Sequence, residues 1–307
     1  MTSPPDAEET AAIVADWGTS SFRAYRLTAD GEILEGRRAA AGIMAIDDGA
    51  FEDAFEALVG DWLDAVPVVP VVLSGMIASR QGWRETPYLE CPVSVDDIAD
   101  ALSPLTMERG RVLHLAPGLS TRGADGVPDV MRGEEVQILG AADSIGGDRA
   151  VLCLPGTHSK WATVEGRRVT GFSTHMTGEV FDTVRRHTIL GRAIEHAAWD
   201  DEAFRDGVAR SGATGGLLHH LFGVRAAGLM GDLTPETAGA FLSGLVIGHE
   251  IRAAGPSGEV HLIGEEDIVT LYLKALAIVG SRGRAVPPGA AARGLHLIAA
   301  RLRGDGA

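Results

Sequence analysis

Two short stretches of this chain carry residues suited to chemistry, and they share a plan. The first runs Val14-Ala15-Asp16-Trp17-Gly18-Thr19-Ser20-Ser21-Phe22-Arg23, with a turn at Asp30-Gly31 further on. The second runs Leu152-Cys153-Leu154-Pro155-Gly156-Thr157-His158-Ser159-Lys160-Trp161, with a turn at Glu165-Gly166. Each is an apolar run, a Gly-Thr turn, a second strand and a hairpin turn into a third. Glycine lets the backbone bend and approach a ligand, and the N–H and hydroxyl groups that follow can bind anionic oxygens. Only the first copy has a carboxylate, Asp16, just before the turn; the second has Pro155 there. A carboxylate beside a phosphate-binding turn is repulsive unless a cation sits between. The pair therefore points to two halves gripping a nucleotide's phosphates, with Mg²⁺ on the first half only, anchored by Asp16. One Gly-Thr hairpin is usually nothing more than a hairpin. Two in matching context, far apart in one chain, are seldom accidental.

The elements around these turns can be read from pattern. Residues 12–44 alternate as three strands. Phe51, Phe55, Leu58, Trp62 and Leu63 recur at helical spacing, and Val68 to Leu73 is a continuous apolar run expected to be a buried strand. It delivers Ser74 to Trp83 as a loop at its carboxyl end, where α/β sheets bind ligands. Residues 117–128 are rich in turn formers and read as a loop, with Asp129 to Gly140 the start of a helix. Ala150 to Leu154 opens a second set of strands, followed by helical patterns through about residue 225. Thr234-Pro235-Glu236 is a helix start, a cap followed by an N1 proline, for a long apolar helix to about Ala254. Glu259 to Ile263 reads as a strand, about 267–279 as a helix, and Ala290 to Arg303 as a terminal helix. The order implies residues 1–11 as a disordered start, a first α/β domain over 12–145 and a second over 146–303. The last helix is a candidate to pack back on the first domain.

Bulk properties narrow the partners. The chain has 307 residues, 45% hydrophobic and 22% charged, with a formal net charge of −15. That acidity argues against a nucleic-acid partner, which needs a basic footprint. An anionic small substrate remains compatible, because a few local arginines and a metal reverse the sign within a site. No apolar run approaches membrane-spanning length. The polar start is not a secretory signal, so a cytoplasmic protein is expected. Cys91 and Cys153 show neither metal nor redox spacing. His187 and His219-His220 lack paired carboxylates and read as structural or exposed. No Gly-x-x-x-x-Gly-Lys-Ser/Thr string occurs, which excludes a P-loop kinase.

The Asp16 turn, the Gly156 turn and the late Val260-His261-Leu262-Ile263-Gly264 string resemble the phosphate-1, phosphate-2 and adenosine motifs of the sugar kinase–Hsp70–actin superfamily. Longer strings resemble the 2-dehydro-3-deoxygalactonokinase family more narrowly. These are Gly75 through Trp83, Asp129 through Gly140, Leu154 through Trp161 and Ser173 through Asp182. The resemblance spans about residues 12 to 280. It implies two RNase H-like α/β domains with an interdomain cleft, and ATP-dependent phosphorylation of the 6-hydroxyl of 2-keto-3-deoxygalactonate. Two departures stand out. Glu265-Glu266-Asp267 follow Gly264 where a less acidic turn is expected, and are read as a helix cap. Phe22 stands after Ser20-Ser21 where relatives often carry an amide and leucine.

The resemblance also implies roles. Gly18, Thr19 and Ser20 would hold one side of the triphosphate, Gly156, Thr157 and His158 the other, and Gly264 would lie at the adenosine. Asp129 is the candidate general base; the competing reading is an N-cap, and Glu134 and Glu135 are alternatives. A keto sugar acid carries a carboxylate, which a planar guanidinium binds bidentately. Arg23 and Arg80 are the best anchors, with Arg132 a third that could instead fix Asp129. Ser79, Gln81 and Trp83 could meet the sugar, though Trp83 serves equally well as packing. Thr177 and Glu179 are further substrate candidates. Lys160 would offset phosphate charge or simply face solvent. The competing functions are a kinase of another sugar or sugar acid, and a non-catalytic ATP-binding regulator, for which 307 residues leave little room.

Overall fold

The computed structural model describes residues 9–47, 49–123, 125–145, 147–194 and 199–304. Two compact units divide the chain. The first comprises Met1–Arg149, Thr163–Phe172 and Pro287–Ala307, the second Ala150–Ala162 and Ser173–Val286. Of the expected disordered start, residues 1–8 lie outside the described residues. Order begins before residue 12: Thr10 is buried, its hydroxyl accepting from Arg26 Nε and Nη2 at 3.2 and 2.8 Å. The Ala11 N–H extends the first strand pairing by donating to Leu27 O at 2.8 Å.

The first unit opens with β1 (Ala12–Trp17), β2 (Phe22–Leu27), β3 (Ile33–Ala39), α1 (Phe51–Ala65), β4 (Val71–Ser74), β5 (Tyr88–Glu90) and α2 (Val95–Asp100). It continues with β6 (Ser103–Thr106), β7 (Val112–Leu115), β8 (Gly118–Arg122), β9 (Pro128–Met131) and α3 (Glu134–Ile145). Its main sheet has the order β3-β2-β1-β4-β7-β6. β1, β4 and β7 run parallel at its centre, and so β1 and β4 are buried almost throughout instead of alternating. Trp17, Phe22 and Phe55 pack edge-on and stacked in the core beneath the first turn.

The fourth strand starts later than the apolar run suggests. Val68 is 92% exposed and pairing begins at Val71. Pro67 and Pro70 lack the N–H that a central strand must donate. The region read as a loop is a three-stranded sheet, β5-β8-β9. Its β8–β9 hairpin holds Asp129 opposite Thr121. The terminal helix, Ala290–Arg303, belongs to this unit and lies on α3. Gly140 and Gly294 allow the two helix backbones to touch, and a methyl group on either would overlap the other helix's main chain.

The second unit holds most of β10 (Arg149–Leu154), the start of β11 (Ser159–Glu165), the end of β12 (Arg168–His175), and α4 (Thr177–His187), α5 (Asp201–Arg210), α6 (Gly216–Met230) and α7 (Pro235–Ala254). β13 (Glu259–Leu262), α8 (Glu266–Ile278) and β14 (Arg282–Ala285) complete it. The sheet order is β12-β11-β10-β13-β14, with β10, β13 and β14 parallel. α7 starts as its sequence requires: Thr234 caps, Pro235 follows, and Thr237 Oγ1 accepts from the Thr234 N–H at 3.2 Å. It is the buried spine of this unit, packed on α5, α6 and α8. β14 escapes a pattern reading because Arg-Gly-Arg-Ala has neither alternation nor branched residues.

Candidate active site

In the first unit Asp16 sits one residue before the end of β1, opposite Arg23 of β2 and beside Ser74 of β4. Cross-strand partners share a face of the sheet, which brings the Arg23 guanidinium within electrostatic reach of the carboxylate. Burial pushes the Asp16 carboxyl up to about 6; Arg23 opposes the rise and the charge of Glu134 adds to it. The turn itself closes through Gly18 N–H to Ser21 O at 2.9 Å. Residues 41–44 cradle it: Ile43 and Met44 donate to Gly18 O and Thr19 O at 3.0 and 3.2 Å, and Trp17 Nε1 donates to Ala41 O at 2.8 Å. Thr19 and Ser20 are left exposed.

Two glycines crowd the same carboxylate. Gly75 has φ +94°, and a Cβ there would lie 2.7 Å from Trp17 O and 3.1 Å from Asp16 Oδ1. Gly133 has φ +105°, and its Cβ would lie 3.1 Å from Gly75 Cα and 3.8 Å from Asp16 Oδ1. Both conformations suit glycine alone. The chain from β9 into α3 thus passes directly over Asp16, and the residues at the helix entrance are Glu134 and Glu135. Arg132 N–H donates to Glu134 Oε2 at 3.1 Å, and Gly133 N–H to Glu135 Oε2 at 2.6 Å. Glu135 is fully buried. Burial first, then the charge of Glu134, raises its carboxyl to about 8 against the pull of nearby N–H groups and Arg132. Its Oε1 and the buried Ser74 Oγ have no hydrogen-bond partner.

Asp129 does not cap α3. It lies within β9, five residues before the first helical residue, with its own Oδ1 accepting from Val130 N–H at 2.7 Å. The chain between it and the helix is strand and a glycine turn. Arg132 is also committed: Nη1 and Nη2 donate to Thr86 Oγ1 and O at 2.5 and 2.8 Å, and the guanidinium lies 4.4 Å over the Tyr88 ring. Its Nε is buried without a partner, and the side chain serves the β5–β9 sheet.

The loop after β4 is ordered by its own backbone. Ala78, Ser79 and Gly82 donate to Gly75 O, Met76 O and Ser79 O, and Trp83 to Ile77 O, all near 3 Å. Ser79 is buried and accepts from Gln81 N–H at 3.3 Å. Arg80 and Gln81 are exposed. Trp83 packs on Phe55, ring centroids 6.2 Å apart, as part of the core margin.

In the second unit the Gly156, Thr157 and His158 turn is exposed while Ser159, Lys160 and Trp161 are buried. The start of α4 is pressed onto it: a Cβ on Gly178 would overlap Gly156 O, and Glu179 N–H donates to Thr157 O at 3.0 Å. The Glu179 carboxylate pairs with the His158 imidazole. Glu179 therefore holds the turn, and Thr177 forms the first turn of α4. Lys160 does not face solvent; its Nζ donates to His158 O at 3.2 Å. Gly264 follows β13, where Ile263 N–H donates to Cys153 O at 2.9 Å. Glu265 occupies the N-cap position of α8 without a side-chain cap bond, and Glu266 and Asp267 lie in the first turn, favourable at that end of the helix dipole.

An open hollow of about 720 Å³ in the first unit is lined by Ala11, Val68, Pro70, Arg111, His114 and Leu302 among others. It lies at the amino ends of β1, β4 and β7, opposite to the Asp16 end of the sheet. The Arg111 guanidinium is engaged by the Leu63, Val66 and Val69 carbonyls. The Asp16 turn is at the other edge. Among the described residues no group of three or more His, Cys, Asp or Glu is placed to hold a metal, and no helix is long and apolar enough to cross a membrane.

The family model for 2-keto-3-deoxy-galactonokinase matches residues 16–298. The chain is 41% identical over 297 residues to a protein of Rhizobium meliloti (strain 1021) described as a probable 2-dehydro-3-deoxygalactonokinase, covering 93% of this chain and 95% of the relative. It is 30% identical over 272 residues to the 2-dehydro-3-deoxygalactonokinase of Escherichia coli (strain K12), covering 87% and 90%. A crystal structure of a candidate 2-dehydro-3-deoxygalactonokinase from Sinorhizobium meliloti superposes with a TM-score of 0.83 at 40% identity, covering 95% of this chain and 99% of that one. Two α/β units with paired glycine turns, matched along nearly their whole length, make this chain a member of the 2-dehydro-3-deoxygalactonokinase family, sugar-acid kinases of the sugar kinase–Hsp70–actin superfamily.

Proposed function

We propose that the protein transfers the γ-phosphoryl group of ATP to the 6-hydroxyl of 2-dehydro-3-deoxy-D-galactonate, giving the 6-phosphate and ADP. The observation that carries this reading is the Asp16 cradle. A carboxylate ends a strand beside an exposed Gly-Thr-Ser turn, is enclosed by two glycines, and is pushed to about 6 by burial next to a second carboxylate. Such a group is relieved by a hard divalent cation. Its donors are all oxygen, which fits Mg²⁺, an ion that takes one or two carboxylates and keeps waters and phosphate oxygens for the rest. Asp16 would hold it, and the bound ion would neutralise charge on the triphosphate.

The chain's own residues supply positioning, which is most of what phosphoryl transfer requires. In the first unit Gly18, Thr19 and Ser20 offer N–H and hydroxyl donors. In the second, Thr157 and His158 offer the same, beside the bare main chain of Gly156, on a turn that Glu179 and Lys160 brace, and Gly264 gives the adenosine a side-chain-free edge. For the base we favour Glu134 over Asp129. Glu134 stands at the helix entrance over Asp16 and acts on its charge, whereas Asp129 lies back along β9. Glu135 is set aside, because a carboxyl raised to about 8 keeps its proton at neutral pH and cannot accept another. Arg80 is the favoured anchor for the sugar-acid carboxylate: Arg132 is engaged by Thr86, and Arg23 faces Asp16.

The test is ADP release with Mg·ATP and 2-dehydro-3-deoxygalactonate, run beside the gluconate epimer and galactose. Turnover on the galactonate far above the others supports the reading. Equal rates on both epimers make it a broader sugar-acid kinase, and turnover on galactose alone removes the carboxylate from the argument.

A further inference from the structure

Beneath the Gly156 turn lies a chain of buried polar groups that the reaction scheme above does not use. Gly156 N–H donates to Ser159 Oγ at 3.4 Å. Ser159 Oγ is 3.0 Å from Tyr272 Oη, and Tyr272 donates to Glu250 Oε2 at 2.6 Å. The other oxygen, Glu250 Oε1, accepts from Trp161 Nε1 at 2.7 Å. Ser159 is 0%, Tyr272 1%, Glu250 3% and Trp161 5% exposed. Four elements meet here: the end of the turn, β11, α7 and α8. Burial, then the charge of Glu250, holds the Tyr272 phenol well above its ordinary value, so it keeps its proton and can only donate to the carboxylate. That sets every other direction. The Ser159 hydroxyl must donate to the phenol oxygen, and its lone pair is then aimed at the Gly156 N–H.

A buried carboxylate is costly to keep, and replacing such a group with apolar side chains is often neutral or better for stability. Trp161 alone could be satisfied by a neutral acceptor. What the charge adds is a one-way run of donors that starts at a backbone N–H of the turn and ends on the carboxylate.

We infer that Glu250, Tyr272 and Ser159 form a positioning relay that fixes the Gly156 turn in its nucleotide-binding shape; this rests on the turn being the second phosphate site of the proposed kinase. Glu179 and Gly178 clamp the turn from α4, and the relay clamps it from below, so that its exposed residues meet the phosphates already ordered. None of the three touches substrate.

Tyr272→Phe removes one oxygen and keeps the ring. Expected is a rise of about fivefold to tenfold in KM for ATP and in the calorimetric Kd for ADP, the size of one lost net hydrogen bond, with KM for the sugar acid within twofold. Ser159→Ala should give the same shift, and the double variant no more than either, because both break one chain. Trp161→Phe removes the bond that lies off the chain; it should lower Tm and leave the ADP Kd unchanged. If Tyr272→Phe does not fold, Ser159→Ala carries the test. The relay is overturned if the nucleotide constants stay put, if both substrates' constants move together, or if the two shifts add. ADP calorimetry also separates the two ideas. A wild-type protein that binds ADP but phosphorylates none of the three sugars refutes the proposed reaction and leaves the relay to be judged on Kd alone. One that does not bind ADP overturns both.

Discussion

Replacing Asp16 with asparagine should abolish turnover and at the same time make the ligand-free protein more stable. The carboxyl is raised from an ordinary 3.8 to about 6, so the folded chain holds this proton to higher pH than the unfolded chain does. Between those values the native state binds more protons, and stability falls as pH rises. At pH 7.5 the full penalty is present, about 3 kcal/mol if the whole displacement is felt; at pH 5 it is roughly half of that. The asparagine side chain has nearly the same shape and no charge to desolvate. The variant should therefore gain on the order of 2–3 kcal/mol over wild type at pH 7.5, a rise in Tm of about 5 °C or more for a chain of this size. The gain should shrink at pH 5. Thermal melts at both pH values, with and without Mg·ADP, measure it, and coupled ADP release measures the loss of activity. Mg·ADP should raise the Tm of wild type more than that of the variant. A variant no more stable than wild type at pH 7.5, or a gain that does not depend on pH, would falsify the claim that Asp16 is held charged against its surroundings. Retained Mg²⁺-dependent turnover would remove Asp16 as the metal anchor.

Three further outcomes follow from the same geometry. Glu134→Gln should lower kcat by about 10²–10⁴-fold with KM for ATP little changed, the usual worth of a general base. Asp129→Asn should stay within about fivefold of wild type, and the reverse pattern would return the role to Asp129. Gly133→Ala places a methyl at φ +105° against Gly75 and should cost about 1–3 kcal/mol together with most of the activity. Gly110→Ala, at φ +82° in open space, should cost about 1 kcal/mol and leave kcat alone; equal effects would show that crowding over Asp16 is unimportant. Glu135, raised from 4.5 to about 8, makes stability decline as pH climbs through that window, so Glu135→Gln should flatten the profile of urea midpoint against pH between 5 and 9, and an unchanged slope would refute its neutral state.

The legible part of the site is the part built from contiguous residues. Asp16 with Gly18, and Gly156 with Thr157, announce themselves because a strand–turn–strand needs only local chain geometry. The core strands β1 and β10 and the capped helix α7 are readable for the same reason: hydrophobic runs and a Thr-Pro start act within a few residues. The segment from Arg84 to Met131 is not. Its three-stranded sheet is short, its strands carry a proline, charges and a glycine, and its pairing of β5 with β8 joins residues some 30 apart. The helix-start reading of Asp129 fails along with it, since an aspartate before an expected helix looks like a cap until the hairpin claims it. The 41–44 cradle around the first turn carries no motif and is invisible to pattern.

The sequence by itself determined the chemistry available: one carboxylate at one of two duplicated glycine turns, a loop with an arginine after a buried strand, and an acidic surface. Those are local facts, set by residue type and spacing. Tertiary structure alone decided which groups share a site and in what charge state. It brought Gly133 and Glu134 over Asp16, withdrew Arg132 to Thr86, turned Lys160 inward, and joined Ser159 to Tyr272 across 113 positions of sequence. Burial and long-range approach set those outcomes, and neither is a property of a short stretch of chain. A pKa moves only when neighbours from other elements exclude water from the group.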